Sequence, residues 1–143
     1  RLRYMFKFTD LKMIDIFKQC EYEVSISDVT LWLKKEEDPL QVEISDLELA
    51  TFLNGLIIEK RGKREGPQPE AEVRLSNNMI LQKMKIACDL KADDILDMCN
   101  AINKNIGKHE LSAFFRKPDH RSYRPCMDQY LRNFFNALQL KLR

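Results

Sequence analysis

The residues best suited to chemistry lie in one short stretch in the second half of the chain, between Phe114 and Arg124. This stretch combines permanent cations with a histidine and a tyrosine. Guanidinium groups suit phosphate oxygens, and an aromatic ring beside them can stack on a nucleic-acid base. The residues that we expect to contact nucleic acid are Lys108, Arg116, Lys117, Arg121, Tyr123 and Arg124. The alternative is an ordinary solvated basic loop in which Tyr123 packs as a plug.

A helix-turn-helix is a second hypothesis for the same region, with residues 93–99 as the first helix and residues 108–116 as the recognition helix. Helical spacing would place four polar residues on one face, where they could read a DNA groove: Lys108, His109, Ser112 and Arg116. The segment between the two helices is longer than the usual turn of about three or four residues, so the match to this motif is loose.

The two halves of the chain carry opposite net charge. Residues 1–61 contain 9 Lys and Arg against 12 Asp and Glu, whereas residues 79–143 contain 12 against 7. The halves could attract each other, within one chain or between chains, or the basic half could bind a polyanion. Protein–protein interaction or self-association is therefore the alternative to nucleic-acid binding.

Catalysis and metal binding have little support in the sequence. The only histidines, His109 and His120, have no metal-ligand spacing with a cysteine or a carboxylate. No set of nucleophile, base and orienting group can be identified either. We expect a protein that is not an enzyme and that has no cofactor and no metal site.

Composition indicates a folded protein that does not span a membrane. The chain is 44% hydrophobic and 32% charged, and no apolar run approaches the roughly 20 residues that a membrane-spanning helix needs. Three of the four cysteines, Cys20, Cys88 and Cys99, fall on apolar stripes, where a buried reduced thiol is common. We therefore expect a cytoplasmic protein.

The elements that position these residues occur twice. At an offset of 82 residues, residues 1–61 align with residues 83–143 without a gap, and apolar residues replace apolar residues. Trp32 and Phe114 occupy matching positions and are expected in the two cores. A shared apolar register indicates a shared fold. Because Arg1 begins inside the pattern without an initiator methionine, we also expect a short piece of chain before it.

Each half has the apolar spacing of helices, and capping-box sequences at Ser25-x-x-Asp28 and Ser45-x-x-Glu48 mark two helix starts. We predict an all-α fold, with two tandem copies of a small four-helix unit packed with pseudo-twofold symmetry. The predicted boundaries are residues 1–61 for the first repeat, residues 62–78 for a polar linker and residues 79–143 for the second repeat.

Asn54 and Asn136 are identical polar residues at matching positions of the most apolar helices. They could form a symmetric pair between the units, or each could bond to the backbone of a neighbouring loop. We favour the second interpretation, because buried amides usually bond to nearby backbone.

Three strings resemble the YehS-like family of bacterial proteins. They are NGLIIEKRGK at residues 54–63, ELSAFFRKPDH at residues 110–120, and the pair Asn77-Asn78. The resemblance covers nearly the whole chain and implies a small bacterial protein built from two copies of one domain. It implies no activity and no site residues. From the resemblance we expect a bacterial protein, and from the cations of the second repeat we expect it to act by binding nucleic acid rather than as an enzyme.

Overall fold

The computed structural model describes residues 1–143 and contains eight α-helices and no β-strand. The helices are α1 (Leu2–Phe6), α2 (Asp10–Lys18), α3 (Ile26–Trp32), α4 (Asp46–Arg61), α5 (Asn77–Ala87), α6 (Ala92–Ala101), α7 (Lys108–Phe114) and α8 (Asp128–Lys141). The predicted all-α class is confirmed. None of these helices combines the length and the apolar character that crossing a membrane requires.

The helices belong to two compact units, Arg1–Leu75 and Ser76–Arg143, with four helices in each. The segment predicted as a linker is divided between them, since residues 62–75 belong to the first unit and Ser76 caps α5. Residues 62–75, which we name the strap, run from the end of α4 back to its beginning. Their far end is fastened there, because Leu75 N donates a hydrogen bond to Asp46 Oδ2 at 2.9 Å.

The core of the first unit forms where α2 packs against α3 and α4. Phe17 is fully buried, and its ring centroid lies 5.5 Å from that of Trp32 and 5.2 Å from that of Phe52. Trp32 itself is half-buried. The helices α2 and α4 cross so closely that a Cβ atom on Gly55 would lie 2.2 Å from the Ile16 carbonyl oxygen.

The core of the second unit forms where α6 packs against α7 and α8, with α5 also on α8. Its fully buried large side chains are Met84, Ile95, Leu111, Phe134 and Leu138. Phe114 is buried, as predicted, with its ring centroid 5.4 Å from that of Tyr130. At the position that matches Gly55, this unit has a buried alanine, Ala137.

The helices of the two units begin at matching positions. The starts of α2, α3 and α4 lie at residues 10, 26 and 46, and those of α6, α7 and α8 lie at residues 92, 108 and 128. The non-glycine residues with a left-handed backbone pair at the same offset, Lys7 with Asp89 and Glu21 with Asn103. Such residues are uncommon, so the backbones of the two units follow the same course at these turns.

Helix starts are capped more completely in the first unit than in the second. Ser25 and Ser45 form the predicted capping boxes at α3 and α4. Gly107 and Met127, at the matching positions, contribute no side-chain cap to α7 and α8. Because a side-chain cap is worth about 1 kcal/mol, these two helices depend more on packing.

Candidate nucleic-acid interface

Two loops at matching positions connect the third and fourth helices of the units. We name residues 33–45 the acidic loop and residues 115–127 the basic loop. The acidic loop contains two Lys and four Asp or Glu, whereas the basic loop contains four Lys or Arg and one Asp. The predicted nucleic-acid contacts other than Lys108 all lie in the basic loop.

Backbone hydrogen bonds fix the basic loop. His120 N donates to Lys117 O, and Tyr123 N donates to His120 O, both at 2.9 Å. Arg124 N returns to α7 and donates to Ala113 O at 3.3 Å. The same three bonds occur at the matching positions of the acidic loop, at 2.9, 3.0 and 3.2 Å. The two loops therefore share one backbone conformation and differ in the side chains that they carry.

One side-chain acceptor supports the same turn in both loops. Asp38 Oδ1 accepts from Leu40 N at 2.9 Å, and His120 Nδ1 accepts from Ser122 N at 3.0 Å. His120 therefore has a structural partner within its own loop.

Asn78 in the first turn of α5 holds the basic loop against the second unit. This residue is 8% exposed. Its Nδ2 donates to Phe114 O at 3.0 Å and to Arg124 O at 2.9 Å, and its Oδ1 accepts from Cys126 N at 2.8 Å. Asn77 Nδ2 adds a bond to Cys126 O at 2.9 Å. From the sequence alone these asparagines stand out only in the family resemblance, because nothing local shows that they bond to a loop more than forty residues away.

The cations of the basic loop are exposed and lie on one structural element. Arg116, Lys117, Arg121 and Arg124 are exposed, and Tyr123 is half-buried. None of these cations forms an ion pair with a carboxylate. The guanidinium of Arg124 is partly engaged, because its Nη1 donates to Tyr123 O at 2.9 Å. The other three cations are available to a ligand.

Lys108 and the helix-turn-helix hypothesis are less well matched to the structure. Lys108 is exposed at the start of α7, about 9 Å along the helix axis from Phe114 at its other end. The predicted recognition helix over residues 108–116 is shorter than expected, because α7 ends at Phe114 and Arg116 lies in the basic loop. The connection between α6 and α7 spans residues 102–107. The structure therefore groups five of the six predicted contacts in one loop and leaves Lys108 at the other end of α7.

Thiols and carboxylates form no reactive cluster. All four cysteines are free, and Cys99 and Cys126 are buried whereas Cys20 and Cys88 are half-buried. Burial, with a smaller contribution from the charge of Asp128, raises the pKa of Cys126 to about 11. This thiol in the basic loop therefore stays protonated near neutral pH and is a poor nucleophile. No three His, Cys, Asp or Glu side chains converge closely enough to hold a metal ion.

The two matching asparagines predicted to act alike lie in different environments. Asn54 is buried, whereas Asn136 is exposed. Because α4 and α8 begin at matching positions, the difference in exposure between the two asparagines comes from the residues that cover each helix. In the first unit, strap residues and Asn54 line a common cavity.

The fold and the loop define a class of all-α protein with two four-helix units and an exposed cationic loop on the second. The chain belongs to the DUF1456 family, described as proteins of unknown function, whose family model matches residues 1–62 and 77–143. The chain is 38% identical over 138 residues to the Uncharacterized protein YehS of Escherichia coli (strain K12), and this match covers 96% of the chain and 88% of the relative. The predicted YehS-like family is thus confirmed, and the two matched segments are consistent with a repeat. No solved structure matches the chain.

Proposed function

We propose that the protein binds nucleic acid through the basic loop and acts by binding rather than by catalysis. The observation that carries this proposal is a set of exposed cations, Arg116, Lys117 and Arg121, with no carboxylate partner. Cations that already pair with carboxylates must give up those partners to bind phosphate, and these three need not.

The fixed backbone of the basic loop supports the same proposal. Its turns and the two hydrogen bonds that Asn78 makes with Arg124 and Cys126 hold the loop in one conformation before a ligand arrives. A preorganised loop loses less conformational entropy on binding than a flexible one. Tyr123, which is half-buried at the same loop, offers part of a ring on which a base could stack.

The test is fluorescence anisotropy with labelled duplex DNA, single-stranded DNA and RNA at salt concentrations from about 50 to about 200 mM. We expect affinity to fall steeply with salt for the parent protein. The triple variant Arg116→Ala/Lys117→Ala/Arg121→Ala should bind more weakly and lower the slope of log K against log salt by about 2 to 3.

The matched control is Lys34→Ala/Lys35→Ala, which removes the two lysines of the acidic loop. It should leave both the affinity and the salt slope unchanged. Undetectable binding at the lowest salt concentration would overturn the proposal, as would a triple variant that binds as tightly as the parent.

A specific observation favours self-association as a second candidate function. Leu40 and Val42 in the acidic loop are 65% and 46% exposed, whereas the matching residues of the basic loop are Ser122 and Arg124. An acidic loop with exposed apolar side chains suits the basic loop of a second copy, because arginine stems can cover apolar surface while the charges attract. Such a contact joins two different surfaces and can extend into oligomers.

Sedimentation velocity of two charge-reversal variants tests this alternative. Glu36→Lys/Glu37→Lys removes the acidic surface, and Arg116→Glu/Arg121→Glu removes the basic one. Each variant alone should be monomeric, because both of its loops then carry the same charge, and a mixture of the two should associate, because opposite charges face each other again. A parent protein that stays monomeric at low salt and high concentration would exclude self-association.

The predicted duplication and compartment remain part of the proposal. The shared helix starts and left-handed residues support two copies of one domain, and residual dipolar couplings would test their predicted pseudo-twofold packing. The four free cysteines suit a reducing compartment, and cell fractionation would test the predicted cytoplasmic location.

A further inference from the structure

The first unit contains a cavity between α4 and the strap. Its volume is about 190 Å³. The turn after α2, the C-terminal half of α4 and the strap all contribute to its wall. A cavity of about 150 Å³ binds benzene, so this cavity has room for a molecule slightly larger than a benzene ring. It is therefore a candidate site for a small ligand, separate from the basic loop.

The part of the wall that belongs to α4 is largely apolar. Ile57 and Ile58 line the cavity, and both are half-buried. Cys20 adds a half-buried side chain from the turn after α2, and Pro69 adds a ring from the strap. A ligand that packs on this part of the wall gains free energy by burying apolar surface. The wall therefore favours a ligand with a short hydrocarbon chain.

One polar atom at the cavity has no hydrogen-bond partner. Gln68 of the strap lines the cavity, and its Oε1 atom is buried without a donor. Its Nε2 atom is held in place, because it donates to Arg64 O at 2.7 Å and to Gly66 O at 3.2 Å. Buried acceptors without a donor are uncommon in folded proteins. A ligand that carries an N–H group supplies such a donor.

Charges of both signs lie where the cavity meets solvent. Lys63 and Arg64 of the strap line the cavity and are exposed, and so is Glu21 in the turn after α2. None of these three residues forms an ion pair. A carboxylate on a ligand suits the two cations, and an ammonium group suits Glu21 and the Oε1 atom of Gln68. The wall therefore complements a ligand that carries both charges.

We propose that the cavity under the strap binds a free α-amino acid with a short, branched apolar side chain. The ammonium group donates to Glu21 and to Gln68 Oε1, and the carboxylate accepts from Lys63 and Arg64. The ligand's side chain packs on the two isoleucines of α4. The cavity lies within the first unit, so this proposal does not rest on nucleic-acid binding by the basic loop.

The test is isothermal titration calorimetry of the full chain with L-leucine and with two analogues that each lack one charged group. Isocaproate keeps the carboxylate and the hydrocarbon chain, and isoamylamine keeps the ammonium group and the chain. We expect L-leucine to bind about tenfold more tightly than either analogue, or better, because each analogue loses charge-assisted hydrogen bonds. L-leucine should also shift the NMR amide signals of Ile57, Lys63 and Gln68.

Two variants test the charged groups separately. Glu21→Gln should weaken L-leucine by about tenfold and should not weaken isocaproate, which has no ammonium group. Lys63→Ala/Arg64→Ala should weaken L-leucine by a similar factor and should not weaken isoamylamine, which has no carboxylate. The matched controls are Glu23→Gln and Arg74→Ala. They remove exposed charges that do not line the cavity, and they should bind L-leucine as the parent does.

The variant Arg116→Ala/Lys117→Ala/Arg121→Ala should bind L-leucine normally, which separates this site from the basic loop. The proposal would be overturned if L-leucine, L-isoleucine and L-valine all failed to bind at millimolar concentration. It would also be overturned if either analogue bound as tightly as L-leucine, or if the variants at Glu21 and at the two strap cations kept the affinity of the parent.

Discussion

The acidic loop and the basic loop have one backbone and opposite charge. Three backbone bonds and one side-chain acceptor, Asp38 in one loop and His120 in the other, recur at matching positions. Other side chains of the loops differ, so that the exposed Leu40 and Val42 match Ser122 and Arg124. The difference shows that the conformation of the loop needs few side chains, which leaves the exposed side chains free to differ in charge and polarity.

The largest difference in stability between matching variants of the two units is expected at the crossing of α2 and α4. Gly55→Ala places a Cβ atom within 2.2 Å of the Ile16 carbonyl oxygen, so the two helices must move apart. We expect a loss of about 3 kcal/mol in the free energy of unfolding. The matching change, Ala137→Gly in the second unit, should cost only about 1 kcal/mol.

Denaturant unfolding of the two variants measures this contrast. A loss in Gly55→Ala no larger than the loss in Ala137→Gly would mean that the first unit accommodates the added Cβ atom. The closer packing of α2 on α4 would then not limit which residue can occupy position 55.

The next largest loss in the free energy of unfolding is expected when Asn78, which holds the basic loop in place, is replaced. Asn78→Ala leaves the buried N–H of Cys126 without its acceptor and removes two further bonds, to Phe114 O at the end of α7 and to Arg124 O in the loop. We therefore expect a loss of about 2 kcal/mol in the free energy of unfolding. Hydrogen exchange at Cys126 should accelerate at the same time. Asn77→Ala is the control and should cost less, because Asn77 contributes no acceptor for that N–H group. Unchanged exchange at Cys126 in Asn78→Ala would show that the loop holds itself.

The features that local spacing and residue type determine could be predicted from the sequence. The helix starts at Ser25 and Ser45 follow from capping chemistry, and the cations of the basic loop follow from residue type. The role of Asn78 could not be predicted, because its partners lie 36 to 48 residues away. The strap reads as a linker, since its glycines, prolines and charges have no apolar period, and only its return to Asp46 shows that it belongs to the first unit.

A smaller effect concerns the caps in which the two units differ. Ser45→Ala removes the capping box of α4 and should cost about 1 kcal/mol. Met127→Ser supplies a cap that α8 lacks, and because Met127 is exposed, little packing is lost. We expect a gain of up to about 1 kcal/mol in the free energy of unfolding. A destabilised Met127→Ser would show that this position of the basic loop needs its methionine.

The smallest effect is expected at an ion pair of the first unit whose two positions carry the opposite charges in the second unit. In the first unit Lys12 bonds to Glu59, whereas the matching residues are Asp94 and Lys141. The hydrogen bond with Lys12 lowers the pKa of Glu59, and the same bond raises the pKa of Lys12. The pair therefore stabilises the fold between the two unfolded pKa values, near 4.5 and 10.5, and this contribution is lost as the pH falls through the folded pKa of Glu59 or rises through that of Lys12.

Urea unfolding of Glu59→Gln across pH tests this pair. The variant should be less stable than the parent at neutral pH, and the difference should shrink toward pH 3 and in high salt, because exposed ion pairs are screened by salt. The exchange Lys12→Glu/Glu59→Lys gives the first unit the charge order of the second and should restore the stability that either single change removes. If the exchange variant is no more stable than the single variants, the order of the charges is fixed by their surroundings, and the reversal between the units is not a neutral difference.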